Sequence, residues 1–266
     1  METTKLKVLN PGLISPYQNF QYEIGKRYIC KDFNDDPSVD CSRGFYATDI
    51  EGLPYSWNIN KECYEVQVTG KSVYINIYKQ RFEKQKILRK VEKDELISLA
   101  KEKDKELGYK LSKILFPVNP LLIKAKRVTG KEIRLLNKWT SVGDSVWTSV
   151  WASVRASVGD SVGASVWTSV WASVGDSVVD SVVDSVGASV RDSVRDSVED
   201  SVVAYISSLF PNIKEWKYIK HKKGISPFQP CIDLWKSGFV PSFDGKTWRL
   251  HAGEAAKIVY ELTTEL

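Results

Sequence analysis

The chain has 266 residues, 42% of them hydrophobic and 27% charged, with a net charge of +5. That is an ordinary globular mixture, which excludes a disordered polypeptide and allows one large domain or two to three small ones. No run approaches the roughly 18 apolar residues that cross a bilayer, and Met1-Glu2-Thr3-Thr4-Lys5 leads into no apolar signal core, so the expectation is a cytoplasmic protein with no membrane partner.

Residues 1–90 read as a small α+β or β-rich domain. Candidate strands are Tyr22–Ile24, Arg27–Cys30, Gly44–Thr48, Tyr64–Val68 and Val73–Ile77. Turns are expected at Asn10-Pro11-Gly12, Asn34-Asp35-Asp36-Pro37, Glu51-Gly52 and Thr69-Gly70. Residues 91–139 read as a helical connector. Within it an amphipathic helix spans 94–115, with Leu96, Ala100, Leu107, Leu111 and Ile114 on one side and Pro117 and Pro120 beyond its end. The Lys/Arg stretch from Lys79 to Lys105 is interleaved with Glu and reads as a solvated helix face in preference to an RNA-binding patch.

Residues 140–203 are an uninterrupted array of sixteen tetrapeptides in which Ser and Val are invariant, from Ser141-Val142 to Ser201-Val202. The first slot holds only Asp, Ala or Thr; the fourth holds Gly, Trp, Arg, Val or Glu. Those fourth-slot residues are linked by single-base changes around a glycine codon, the mark of a DNA repeat that expanded and then drifted. A slot that accepts everything from no side chain to an indole is expected to face solvent. On a helix, four residues advance the chain by about 400°, so the Ser-Val pair winds as a slow stripe of small side chains, drifting about 40° per unit. On a strand, period-two alternation would put the first-slot aspartates on the valine face. Helix is the preferred reading, broken near Gly159–Gly163, Gly175 or Gly187, because one unbroken helix would be about 96 Å long and could keep no dry face. A β-solenoid is the alternative.

Residues 204–266 read as a small α+β domain. A helix from Asp200 to Phe210 continues the array, and a second spans Gln229–Ser237. Phe239–Phe243 and Lys246–Leu250 flank Asp244-Gly245 as a hairpin, with Trp235, Phe239, Phe243 and Trp248 as an aromatic core. The fold class is therefore α+β.

Charge is unevenly spread. Residues 1–139 hold 26 Lys/Arg against 18 Asp/Glu, the array 3 against 9, and the tail 9 against 6, giving +8, −6 and +3. An acidic array cannot track a phosphate backbone, which argues against nucleic acid as its partner. Cys30, Cys41, Cys63 and Cys231 form no CxxC pair, and with only His221 and His251 beside them they imply reduced thiols and no metal.

Two stretches carry resemblances. Lys7-Val8-Leu9-Asn10, Phe20 to Lys26, Arg43 to Ala47 and Tyr64-Glu65-Val66 resemble an N-terminal domain family of phage and bacterial proteins with no assigned activity. The tail from Pro227 to His251, with Pro241-Ser242-Phe243-Asp244-Gly245-Lys246-Thr247-Trp248, is similar to tails of phage-like proteins carrying the same array. Gly44-Phe45-Tyr46-Ala47-Thr48 followed by Tyr64 to Val68 also looks like the core of ADP-ribosyltransferase-type folds. That likeness would require a positioned cation and a catalytic carboxylate. Arg27, Arg43 and Glu65 are available, but none matches the pattern cleanly, so no catalytic, cofactor-binding or metal residue is assigned.

The expected function is a non-catalytic repeat scaffold or protein-interaction protein, acting through a protein partner or self-association of the array. The alternatives are an ADP-ribosyltransferase-like enzyme and a phage-encoded decoy for a host defence protein.

Overall fold

The computed structural model describes residues 2–76, 78–125, 127–142 and 145–263. Among them the architecture is mixed α+β with neither a closed barrel nor a solenoid.

The N-terminal region is an antiparallel sheet. β1 (Thr3–Leu9), β2 (Arg27–Ile29), β3 (Phe45–Ala47), β4 (Glu62–Asn76) and β5 (Lys79–Val91) are arranged β1-β4-β5-β2, with β3 also pairing with β5. Two expectations here need correction. Tyr22–Ile24 forms no strand; Gln21 and Ile24 make isolated bridges only. Thr69-Gly70 is not a turn. It lies inside β4, where the register slips between Thr69 and Ser72 and Gly70 adopts φ +82°. An irregularity of this kind bends a strand without ending it. The expected strand end at Ile77 falls outside the described residues.

Lys79 to Val91 is a strand, not a helix face. Gln85 and Ile87 are buried while Lys84 and Lys86 are half-exposed, a period-two pattern hidden beneath a helix-like Lys/Glu composition, and a register slip at Ile87–Arg89 then brings Val91 into a different core cluster. The long hairpin with β4 supplies every second backbone partner, and that tertiary pairing overrides the weak helical preference of Lys and Glu.

The helix expected over 94–115 is two helices, α1 (Lys93–Lys103) and α2 (Leu111–Leu115). Gly108 at φ +73° turns the chain between them, and the Asp104 carboxylate accepts hydrogen bonds from the Ser112 amide (3.0 Å) and hydroxyl (2.7 Å). Leu96, Ala100, Leu111 and Ile114 are still buried, so the apolar pattern is used by two elements instead of one. α3 (Gly130–Trp139) follows, opened by a capping box of Thr129 and Glu132.

Residues 146–207 are mostly helical, in α4 (Val146–Val158), α5 (Asp160–Val170), α6 (Asp176–Asp184) and α7 (Arg191–Ser207). The chain turns at Gly159, where φ is +82°, a conformation open to glycine at little cost. A second break lies at Gly187. Gly175 does not break the helix; it closes a π-helical turn, Trp171–Gly175, that runs straight into α6. The Trp171 indole lies across it, so close that a Cβ on residue 175 would come within 3.0 Å of the ring.

The invariant valines form the interior. Val146, Val150, Val154, Val166, Val170, Val174, Val178, Val182, Val186, Val194, Val198 and Val202 are all buried. The half-buried ones, Val142, Val158, Val162 and Val190, stand at the start of the array and beside its two turns. Each fully buried valine contributes on the order of 1.5–2 kcal/mol of apolar transfer free energy. The small serines beside them let neighbouring elements approach, and several hydroxyls return to their own helix, Ser197 to Val194 and Ser201 to Val198.

The fourth slot does not uniformly face solvent. Arg155, Arg191 and Arg195 are exposed, whereas Gly163, Gly175, Val179, Val183 and Val203 are buried. The drift of about 40° per unit carries this slot into an interface at some positions and out of it at others, and side-chain character follows. Trp147, Trp151, Trp167 and Trp171 interlock across the α4–α5 turn. Trp167 meets Trp147 edge-on at 4.6 Å and Trp151 at 5.3 Å, and stacks with Trp171 at 6.2 Å. Trp167→Ala is therefore expected to cost about 3 kcal/mol in urea denaturation, against less than about 0.5 kcal/mol for Arg191→Ala in the same slot.

The tail adds α8 (Gln229–Lys236) and an antiparallel sheet of β6 (Val240–Phe243), β7 (Thr247–Ala252) and β8 (Lys257–Thr263). The β6–β7 turn is centred on Gly245-Lys246, one residue later than expected, with Gly245 at φ +93° and Asp244 opposite Thr247. The four aromatic residues expected to pack together are divided among separate contacts. Trp235 stacks on Tyr205 at 4.9 Å, Phe243 stacks on Trp248 at 4.7 Å, and Phe239 packs with Leu136, Leu234 and Leu250. One apolar cluster runs from Val8 and Leu53 through the array valines to Phe228 and Trp235, so the array is packed between both ends of the chain. No described helix is long and apolar enough to cross a membrane.

Candidate functional site

The segments resembling a nicotinamide cleft lie in the N-terminal sheet, and their chemistry is already committed. Gly44, at φ +145°, sits where a Cβ would fall 2.6 Å from the Arg81 Cγ; the glycine lets that side chain pass beneath the backbone. Arg81 is wholly buried and donates to the carbonyls of Val39 (2.9 Å) and Asp36 (2.6 Å) and to the Tyr46 hydroxyl (3.2 Å), holding the loop before β3. The structure thus uses Gly44-Phe45-Tyr46 for support.

Arg27, Arg43 and Glu65 are not brought together. Arg27 is on the edge strand β2, opposite Lys86. Arg43 is exposed and paired with Asp32 at 2.7 Å, which holds the Asp32 carboxyl below its ordinary range. Glu65 lies on β4 and is bound by Arg89 Nε at 2.6 Å, while the two terminal guanidinium nitrogens of Arg89 grip Glu95 at 2.7 and 2.8 Å.

Glu65, Arg89 and Glu95 line a shallow depression of about 250 Å³ beside Lys5 and Asp49, themselves paired at 2.7 Å. The hydrogen bonds from Arg89 hold the Glu95 carboxyl below its usual value, so it is a poor proton donor near neutrality.

Two further residues have the chemistry of a site without its access. Lys7 is buried on β1, with its amine donating to the Tyr46 carbonyl (2.8 Å) over the Tyr22 ring (5.1 Å), and burial pulls its pKa down to about 7. It lines neither the depression above nor a second one of about 230 Å³ around Gly70 and Gln80. Composition gave no signal for Lys7, because only the pairing of β1 with β4 and the bridge to Thr48 enclose it.

His251 Nε2 lies 2.8 Å from the Ser242 hydroxyl, the spacing of a nucleophile and its base. Both side chains are fully buried. The other ring nitrogen faces the Ala256 carbonyl at 2.9 Å and the Ser185 hydroxyl at 3.1 Å, and Ser185 donates to Val182. A consistent assignment has Nδ1–H donating to Ala256 and Ser185 while Nε2 accepts from Ser242. The imidazole thereby fastens the array to the C-terminal sheet.

The four cysteines are free; burial raises the thiol of Cys63 to about 12 and that of Cys231 well above its ordinary value, so both are held as inert thiols. Among the described residues, no group of three or more His, Cys, Asp or Glu is placed to hold a metal ion.

The remaining candidate is a surface. Along α6 the exposed Asp176, Asp180 and Asp184 recur every four residues, as do Asp192 and Asp196 on α7. Burial first, and then the charges of Asp196 and of Asp176 across the helices, raise the pKa of Glu199, with Arg195 opposing. Arg195 reaches Asp180 across the helices at 3.5 Å. On α4, Trp147 is 43% exposed. No protein family model, curated protein or solved structure matches the chain.

Proposed function

We propose that the chain is a non-catalytic scaffold or protein-interaction protein, of the phage or bacterial kind its two resemblances suggest. Its tetrapeptide array carries the binding surface, with the layout 1–90, 91–139, 140–203 and 204–266. The observation that supports this most is the division of labour within each repeat. The invariant valine is spent on the interior, while the first slot is nowhere buried among the described residues and sets an acidic outer surface on α6 and α7. Repeats of this kind extend a surface by adding units. The acids Asp176, Asp196 and Glu199 on α6 and α7 favour a basic protein partner, and they are also what a decoy of a basic host protein would present.

The enzyme alternative is weakened by the ion pairs that occupy Arg43 and Glu65, because transition-state charge stabilisation needs uncommitted, preorganised groups. Incubating the full chain with labelled nicotinamide dinucleotide and cell lysate is expected to give neither protein labelling nor nicotinamide release above a heat-killed control. Activity abolished by Glu65→Gln or Arg43→Ala would overturn the proposal.

A further inference from the structure

We infer that the loop 214–225 is a binding platform for single-stranded nucleic acid, independent of the scaffold reading and outside the acidic array. This loop between α7 and α8 carries Lys214, Lys217, Lys220, Lys222 and Lys223, all exposed, against one acid, Glu215. Glu215 pairs with Lys223 at 2.9 Å. Lys217, Lys220 and Lys222 have no ion pair among the described residues. Between them Tyr218 is 70% exposed, with its backbone in the left-handed region at φ +67°. A bulky residue held there costs on the order of 1 kcal/mol and is kept only where its surroundings impose it.

The surroundings do impose it. His221 Nε2 accepts from the Trp216 amide at 2.8 Å, and Nδ1 faces the carbonyls of Lys222 and Ile225 at 3.0 Å each. The Gly224 amide donates to the Lys214 carbonyl at 3.0 Å and closes the loop. Trp216 is buried edge-on to Phe228 at 5.1 Å, and the Lys217 amide donates to Ser153 of α4 at 3.0 Å. A segment with no regular secondary structure is thus fastened at its base, while its outer side chains contribute nothing to the core. The ordering cost of binding has already been met in the folded chain.

An aromatic ring projecting among unpaired lysines matches the stack-and-neutralise chemistry of single strands, in which any base offers a π-face and lysines take the phosphates. A duplex hides those faces, and the loop offers neither helix nor ribbon to enter a groove. A bilayer fits less well. Tyr218 and Ile225 are the exposed large apolar side chains of the loop, less apolar surface than one acyl chain, which alone binds only marginally.

The test is fluorescence anisotropy of a labelled oligothymidylate of about ten nucleotides with the full chain. Binding is expected to weaken with salt at a logarithmic slope of about −2, the value for three phosphates on a single strand. Tyr218→Ala should weaken binding roughly five- to a hundredfold and leave that slope unchanged. The triple variant Lys217→Gln, Lys220→Gln, Lys222→Gln should flatten the slope, with thermal melting unchanged in both variants. The inference is overturned by absence of binding, by a Tyr218→Ala variant equal to the parent, or by polyglutamate competing as well as the oligonucleotide. It is equally overturned if vesicles with about 30% phosphatidylserine bind the protein and the oligonucleotide does not.

Discussion

Val198→Asp is expected to destabilise the protein by at least about 4–5 kcal/mol. Val198 is wholly buried on α7, the helix that packs against α4, α6, α8 and β6 at once. The substitution removes about 1.5–2 kcal/mol of apolar burial and places a carboxylate in the apolar interior. Together these cost at least about 4–5 kcal/mol, a large part of the 5–15 kcal/mol that holds a typical domain together. Asp196→Val, two residues away on the exposed side of the same helix, should change stability by less than about 1 kcal/mol. Circular dichroism against urea for the two variants checks the pair. Equal costs would mean that the valine face is not the interior.

The second large effect is a dependence on acid. Burial drives the pKa of His251 down from 6.5 to about 4, with Arg249 lowering it further and the Ala256 carbonyl and Glu261 opposing. The folded state therefore binds fewer protons than the unfolded state between those two values. The stabilisation is complete above about pH 6.5 and is lost as the pH falls to about 4, a change of about 3 kcal/mol. Lys7, shifted to about 7, is protonated in both states through most of this window and adds little slope there. Denaturation midpoints measured from pH 7 to pH 4 should fall steeply in the parent and much less in His251→Gln. Parallel curves would refute the role given to the imidazole.

These two residues also show what composition and period can reveal. The valine period identifies an inner face for any helix the array forms, because a side chain fixed at every fourth position must recur on one slowly drifting stripe. The partners of His251 have no such period: Ser242 is nine residues away, but Ser185 is 66 residues away, in the array. No local pattern contains that contact.

The same distinction explains the strand at Lys79 to Val91. Lys and Glu there carry helix-like local preference, and only the register with β4, Ile87 opposite Val66 and Gln85 opposite Val68, makes a strand of it. The candidate cleft residues are held apart for a related reason. Gly44 and Glu65 were visible as residue types, but whether a charge is free depends on its neighbours, and Arg89 and Arg81 reach their positions through sheet pairing.

The sequence by itself determined the α+β mixture, the identity of the inner slot of the repeat and a short set of glycines from which the turns of the array, at Gly159 and Gly187, were drawn. These depend on period and on backbone freedom, which are local. Tertiary structure alone decided which fourth-slot residues are core and which are surface, that Trp167 is the centre of an aromatic lock, and that Tyr218 and its lysines stand on a rigid base. Each of those outcomes depends on what another part of the chain places against the residue, and burial is a property of the pair.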